Sequence, residues 1–220
     1  LLKMWESVGC PLIQAFGMTE TSPLVLSISK EMAVEKAGSA GLPAMNTAIR
    51  IVGEDGVDVG VGEIGELWCK GPNITPGYWN NPEATAEAIT DGWLHTGDAA
   101  QADADGYVSI VDRWKDMYIS GGENVYPREI EEFLYTHPDI QEIQVFGVPD
   151  AKYGEQVAAW VQLKEGANVS EDEVRQFCSG QITHFKIPKY IKIVHEFPMT
   201  VTGKMQKFVM RDAFAKELGL

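Results

Sequence analysis

The chain has 220 residues, 45% of them hydrophobic, with 32 acidic against 18 basic side chains and a formal net charge of −14. That length and content suffice for one large or two small domains with a real core. The acidic balance excludes a typical nucleic-acid binder, which needs a dense basic surface against phosphate backbones, and three cysteines without paired spacing (Cys10, Cys69, Cys178) point to a reducing compartment rather than a disulfide framework or a zinc cluster.

The opening LLKMWESVGC lacks the charged start and cleavage site of a signal peptide, and no apolar run reaches the roughly eighteen residues of a membrane span. The first residue is not Met, so the chain reads as cut from a longer polypeptide. Short strands are expected at LIQAF before the turn GMTETSP, at TAIRIV before the turn GEDG, and at GELWCKG. Residues 60–65, GVGEIG, match G-x-G-x-x-G, but a dinucleotide site needs a helix next, and strand-like ELWCKG follows. A turn between strands is expected there instead. NNPEATAEAI predicts a helix capped by Asn81 with Pro82 at its first position. HTGDAAQADADGYVSIVDR predicts a hairpin turning at Asp105-Gly106.

Strands and helices then alternate. A strand at DMYIS passes through GGENVYP into a helix from Arg128 to about Tyr135, with Pro127 at its start. Strands follow at EIQVFGV and VAAWVQL, then a helix through Phe177 opened by a capping box of Ser170 and Glu173, a strand at YIKIVHEF, and an amphipathic helix from about Lys204 to Leu218. This second half predicts a small α+β domain. Composition alone leaves the domain boundary anywhere between Val111 and Gly121.

Five polar clusters stand out. AFGMTET sets Thr19 and Glu20 past a glycine turn, GWLHTGD ends in Asp98, and VDRWKD places Arg113 and Lys115 on one side of an extended chain. SGGENVYP sets two glycines before a helix, where backbone can approach a ligand closely. The fifth, FPMTVTGKMQK, puts Lys204 at the mouth of the last helix. Residues 183–211 carry Lys186, Lys189, Lys192, Lys204, Lys207 and Arg211 against the single acid Glu196, so a small anionic ligand is expected there. Singly, each cluster also reads as an ordinary turn or a solvated charge.

In order, the runs FGMTET, GELWCKGPNITPGYW, GWLHTGD, DRWKDMYISGGENVYPREIE, VFGVPDAKYGE and PMTVTGK resemble the adenylate-forming, or AMP-binding, superfamily of acyl-CoA synthetases, luciferases and adenylation domains. SGGENVYPREIE, HFKIPKYI and TGKMQKFVMR are similar to fatty-acyl-CoA synthetases, the medium-chain type in particular. The resemblance implies a fold of mixed α/β and α+β class: residues 1–112 as the end of a large N-terminal core domain with a small β-barrel-like subdomain, and residues 113–220 as a mobile α+β lid.

It also implies activation of a fatty acid by ATP with magnesium, giving acyl-AMP, and transfer of the acyl group to coenzyme A. By the same resemblance Lys204 is the adenylation lysine, Glu20 the magnesium ligand, Thr19 a phosphate contact, and Phe16 with Gly17 the adenine side. Asp98 would hold the ribose hydroxyls, Arg113 would reach the ribose or phosphate, Lys115 would be the hinge, and Ser120, Gly121 and Gly122 would line the coenzyme A channel. Because the phosphate loop and acyl tunnel of such enzymes lie upstream, this portion alone is expected to be inactive, and apolar surface left without its sheet is expected to favour a homo-oligomer. The alternatives are a non-catalytic nucleotide or partner module and an adenylation domain serving a carrier protein. The expected location is cytoplasmic, or the mitochondrial matrix with a lost transit peptide; Leu218-Gly219-Leu220 does not match the peroxisomal address.

Overall fold

The turn-rich first half forms short antiparallel strands, because its apolar runs are brief and bounded by Gly, Pro and Asn. The computed structural model describes residues 2–220, with side chains from Met4 onward, and divides into two units, one ending at Trp114 and the other beginning at Lys115.

In the first unit, helix α1 (Leu2–Ser7) leads to a three-stranded sheet of β1 (Ala15–Gly17), β2 (Leu24–Ser27) and β3 (Leu42–Pro43). A second sheet takes β4 (Ala48–Val52) and β5 (Gly65–Lys70). Helix α2 (Pro82–Ala88) and the short β6 (Ile89–Thr90) follow, then β7 (Trp93–Ala102) and β8 (Val108–Arg113). Its order is β4-β5-β7-β6 with β8 also on β7, and it curls into half a barrel. The GVGEIG motif is a turn running into β5, as its strand-like sequel requires. Asn81 caps α2 by accepting the Ala84 N–H at 3.1 Å. Val25, Leu26, Leu67, Leu94 and Val108 form the buried centre.

The second unit opens with a hairpin of β9 (Tyr118–Ser120) and β10 (Glu123–Val125), in which Ser120 pairs with Glu123 across Gly121-Gly122. Both glycines have positive φ, +63° and +92°, as a two-residue turn of matching twist demands. Sequence set these glycines before a helix; the short strand β10 lies between them and it. Helix α3 (Pro127–Leu134) comes next, then the long hairpin of β11 (Ile140–Asp150) and β12 (Gly154–Leu163). Helix α4 (Glu171–Cys178) carries the chain to β13 (Tyr190–Ile193), which lies parallel to β12, and α5 (Lys207–Leu218) closes the unit.

Alternation along β11 and β12 explains why they are apolar almost throughout. Val145, Val157 and Val161 pack in one cluster with Ile130 and Leu134 of α3 and Val174 of α4, whereas Phe146, Val148 and Ala158 pack in another with Met210 and Phe214 of α5. Burying Ile130 and Leu134 contributes on the order of 1.5–3 kcal/mol each. Ser170 and Glu173 form the expected capping box of α4, worth about 1 kcal/mol.

Candidate functional site

Between β1 and β2 the chain makes a 3-10 turn over Thr19–Thr21. Buried Thr21 fixes it: its hydroxyl accepts the Met18 N–H at 3.0 Å and donates to the Pro23 carbonyl at 2.8 Å. The turn leaves Thr19 exposed and Glu20 half-buried, with Glu20 Oε1 accepting the Tyr78 hydroxyl at 3.0 Å. Phe16 is half-buried and its ring packs on the first unit's core. Gly17 has a folding reason to be glycine, because an added Cβ would lie 1.5 Å from the Pro23 carbonyl oxygen.

Asp98 and Arg113 come together. They are paired residues on β7 and β8, and Arg113 Nη1 donates to Asp98 Oδ1 at 2.9 Å. Sequence put Asp98 on a glycine turn; it sits instead inside continuous β7, next to Gly97 at φ +70°. Burial pushes the Asp98 carboxyl above its usual range, Arg113 opposes this, and Glu66 and Asp112 add to it. Arg113 ends β8 and Lys115 lies in a 3-10 turn over Trp114–Asp116, so the extended alternation expected for this pair is absent.

In the second unit Lys204 belongs to a tight turn, not to a helix mouth, since α5 begins at Lys207. Thr200 builds the turn. Its N–H donates to the Lys204 carbonyl at 2.8 Å, its hydroxyl accepts the Lys204 N–H at 3.0 Å, and its carbonyl accepts the Gly203 N–H at 2.9 Å. Five of the six basic residues in 183–211 are already neutralised by acids: Lys186 by Glu129, Lys189 by Asp150, Lys192 by Glu217, Lys207 by Glu131 and Arg211 by Glu155. Lys204 is exposed and has no ion pair among the described residues. Among the described residues the basic run thus reduces to one unpaired cation on a hydrogen-bonded turn.

Two cavities in this unit share no lining residue. One, of about 490 Å³, is lined by Lys115, Thr200, Lys204, Lys207 and Arg211 among others. The second, of about 860 Å³, is lined by Ser120, Gly121, Tyr153, Arg175, Phe185 and Lys189 among others. Gly122 lies outside that lining. Sequence reasoning missed Tyr153, Arg175 and Phe185, and it did not place Lys189 beside Ser120; YGE and HFKIPKY were visible as motifs, but nothing local says that they meet Ser120.

The rim of the larger cavity depends on Asp150. Its carboxylate accepts Lys189 Nζ at 2.8 Å and the N–H groups of Lys152 and Tyr153 at 2.9 and 3.0 Å, while the Tyr153 carbonyl accepts the Gly121 N–H at 2.9 Å. Lys189 above all holds the Asp150 carboxyl down to about 2, from an ordinary 3.8. With the folded value depressed, the unfolded chain takes up a proton first as pH falls. Stability from Asp150 is therefore complete above about 3.8 and vanishes on approach to about 2. In acid-unfolding titrations, Asp150→Asn should be less stable than wild type at neutral pH, with the gap closing across that window. A gap that persists in stronger acid contradicts the assignment.

Burial pushes the Cys69 and Cys178 thiols up to about 11, which leaves neither a ready nucleophile. No group of three or more His, Cys, Asp or Glu fit to hold a metal occurs among the described residues. Glu20 does fit one mode of cation binding: Oε1 is taken by Tyr78, Oε2 has no hydrogen-bond partner among the described residues, and magnesium carried on phosphates needs only one or two protein carboxylates. No described helix is long and apolar enough to cross a membrane.

A family model for AMP-binding enzymes matches residues 1–79, and a model for the AMP-binding enzyme C-terminal domain matches residues 129–204. Feruloyl-CoA synthase of Amycolatopsis is 43% identical over 206 residues, covering 94% of this chain and 42% of that protein. The mitochondrial medium-chain acyl-CoA ligase ACSF2 of Homo sapiens is 44% identical over 212 residues, covering 95% and 34%. The chain therefore spans about two-fifths or less of these relatives. Among solved structures, o-succinylbenzoate CoA synthetase of Bacillus subtilis, in complex with the acyl-adenylate OSB-AMP, superposes with a TM-score of 0.87 at 35% identity, covering 97% of this chain and 43% of that one. ATP-bound MatB of Rhodopseudomonas palustris gives 0.84 at 35% identity, with the same coverage.

Proposed function

The chain belongs to the AMP-binding enzyme family, and from that premise we propose that it supplies the C-terminal part of an ATP-dependent ligase joining a medium-chain fatty acid to coenzyme A. In the first half-reaction a carboxylate oxygen bonds to the α-phosphorus of ATP, the bond to the bridging oxygen breaks, and pyrophosphate leaves. In the second, the thiol sulfur bonds to the acyl carbon, the bond from that carbon to the phosphate oxygen breaks, AMP leaves, and the thiol proton passes to water. Two anions must meet in the first step, and repulsion between them is the barrier that fixed positive charge lowers.

The observation that carries this reading is the isolation of Lys204, the one cation of its basic segment without an acid among the described residues, on a turn built by Thr200. Its ammonium bridges the attacking carboxylate and the α-phosphate, a task that suits a compact charge on a long stem. Glu20 and Thr19 face the phosphates, and a magnesium ion bound at Glu20 supplies charge neutralisation there. Phe16 offers a ring face to adenine. Asp98, steadied by Arg113, accepts the ribose hydroxyls. The second half-reaction belongs to the larger cavity: Ser120 and Gly121 line the path of the thiol, while Phe185 suits the aromatic part of coenzyme A. Separate linings on one unit fit a lid that presents one face per half-reaction, pivoting at Lys115.

Carboxylate-dependent exchange of labelled pyrophosphate into ATP, run on the intact protein carrying this sequence, tests the reading. Medium-chain fatty acids should support exchange. Activity confined to cinnamate-type acids would change the acyl class and keep the chemistry; no exchange with any carboxylate would end the proposal.

A further inference from the structure

We infer that Tyr78 is a positioning residue for Glu20, holding its carboxylate so that one oxygen is presented to a divalent cation; this rests on the reading of Glu20 as the cation's ligand. Two contacts from a single distant loop clamp Glu20. The Thr75 N–H donates to the Glu20 carbonyl at 2.8 Å, and the Tyr78 hydroxyl donates to Glu20 Oε1 at 3.0 Å. Backbone and side chain of the same residue are thereby fixed together.

The loop is itself anchored at both ends. Upstream, Asn73 Nδ2 donates to the carbonyls of Thr21 and Leu24 at 3.0 and 2.9 Å, tying the loop to the turn that carries Glu20. Downstream, the Tyr78 N–H donates to Thr85 Oγ1 at 2.9 Å, and that hydroxyl donates to the Asn81 carbonyl at 2.8 Å, at the start of α2. Gly77 permits this approach, since its φ is +150° and a Cβ there would fall 2.7 Å from Thr85 Cγ2. Tyr78 is thus delivered by a helix start and a shaped turn, although its own side chain remains 40% exposed and contributes little packing.

A donor on Oε1 removes one rotational choice from the carboxylate before a cation arrives and leaves the lone pairs of Oε2 for it. Partners of this kind orient metal-binding carboxylates and tune their affinity.

The test uses Tyr78→Phe in the intact protein, with manganese(II) and ATP as probe and electron paramagnetic resonance as readout. Manganese should bind about tenfold more weakly than to wild type, with an unchanged melting temperature. In exchange assays the magnesium requirement should rise while the rate at saturating magnesium returns to the wild-type value. Equal manganese affinity in the two proteins overturns the inference, as does a rate loss that magnesium does not restore and that accompanies a lower melting temperature.

No manganese binding by wild type also overturns the inference. If manganese binding depends on Tyr78 while no carboxylate supports exchange, the ligase reading falls and this inference stands. If exchange proceeds but the metal response of Tyr78→Phe equals that of wild type, this inference falls alone.

Discussion

Lys204→Ala in the intact protein is expected to lower carboxylate-dependent pyrophosphate exchange by about two to three orders of magnitude, the loss seen when one fixed donor to a developing charge is removed. The side chain is exposed on its turn, and the Thr200 bonds that shape the turn use the backbone of Lys204. Alanine should therefore leave the fold and melting temperature intact while removing the charge that lets two anions approach. Transfer of the acyl group from supplied acyl-adenylate to coenzyme A should persist near the wild-type rate, since the proposal assigns that step to the separate cavity lined by Ser120 and Gly121. Equal loss of both half-reactions would contradict a role confined to the first. Unchanged exchange would remove Lys204 from the chemistry altogether.

Gly17→Ala is expected to cost more than about 4 kcal/mol of stability in the first unit, the range that marks a specific structural clash. The new Cβ would sit 1.5 Å from the Pro23 carbonyl oxygen and 3.1 Å from Leu24 Cα, both backbone atoms, so no side-chain rotation relieves it. Gly17 pairs with Leu24 across β1 and β2, and β2 carries Val25 and Leu26 into the core. Relief thus requires those strands to part. Urea unfolding followed by tryptophan fluorescence measures the loss. A variant within about 1 kcal/mol of wild type, yet deficient in nucleotide binding, would instead assign Gly17 to close contact with ligand.

Much of this structure is legible in local sequence. Asn81, Pro82 and Pro127 mark helix starts, Ser170 with Glu173 marks another, and Asp105-Gly106 turns the β7–β8 hairpin, because caps and turns are decided within a few residues. Four-residue β2 was missed: LVLS follows the turn residues Ser22 and Pro23 and is too short to show a period. Strand β13 is shorter than YIKIVHEF suggests, because its pairing with β12 covers only Tyr190–Ile193. The last helix was started too early. Thr200 satisfies the backbone of Lys204 in a turn, and helical geometry begins three residues later.

The candidate site was legible as motifs but not as electrostatics. Six basic residues close together in sequence looked like one anion site, yet Glu129, Glu131, Asp150 and Glu155 reach back across the fold to neutralise four of them, and Glu217 a fifth. Those partners are set by the packing of α3, β11 and β12 against α5 and the 184–193 segment, which no local window reports. The Tyr78 contact to Glu20 spans 58 residues and was invisible for the same reason.

The central claim is that a carboxylate oxygen attacks the α-phosphorus of ATP on the intact protein. Incubating the intact protein with ATP, coenzyme A and a fatty acid carrying heavy oxygen in its carboxylate, then locating the label by mass spectrometry, tests this directly. One labelled oxygen should appear in AMP, with pyrophosphate unlabelled. Label in inorganic phosphate, with ADP as the nucleotide product, would mean attack at the terminal phosphate and would contradict the account.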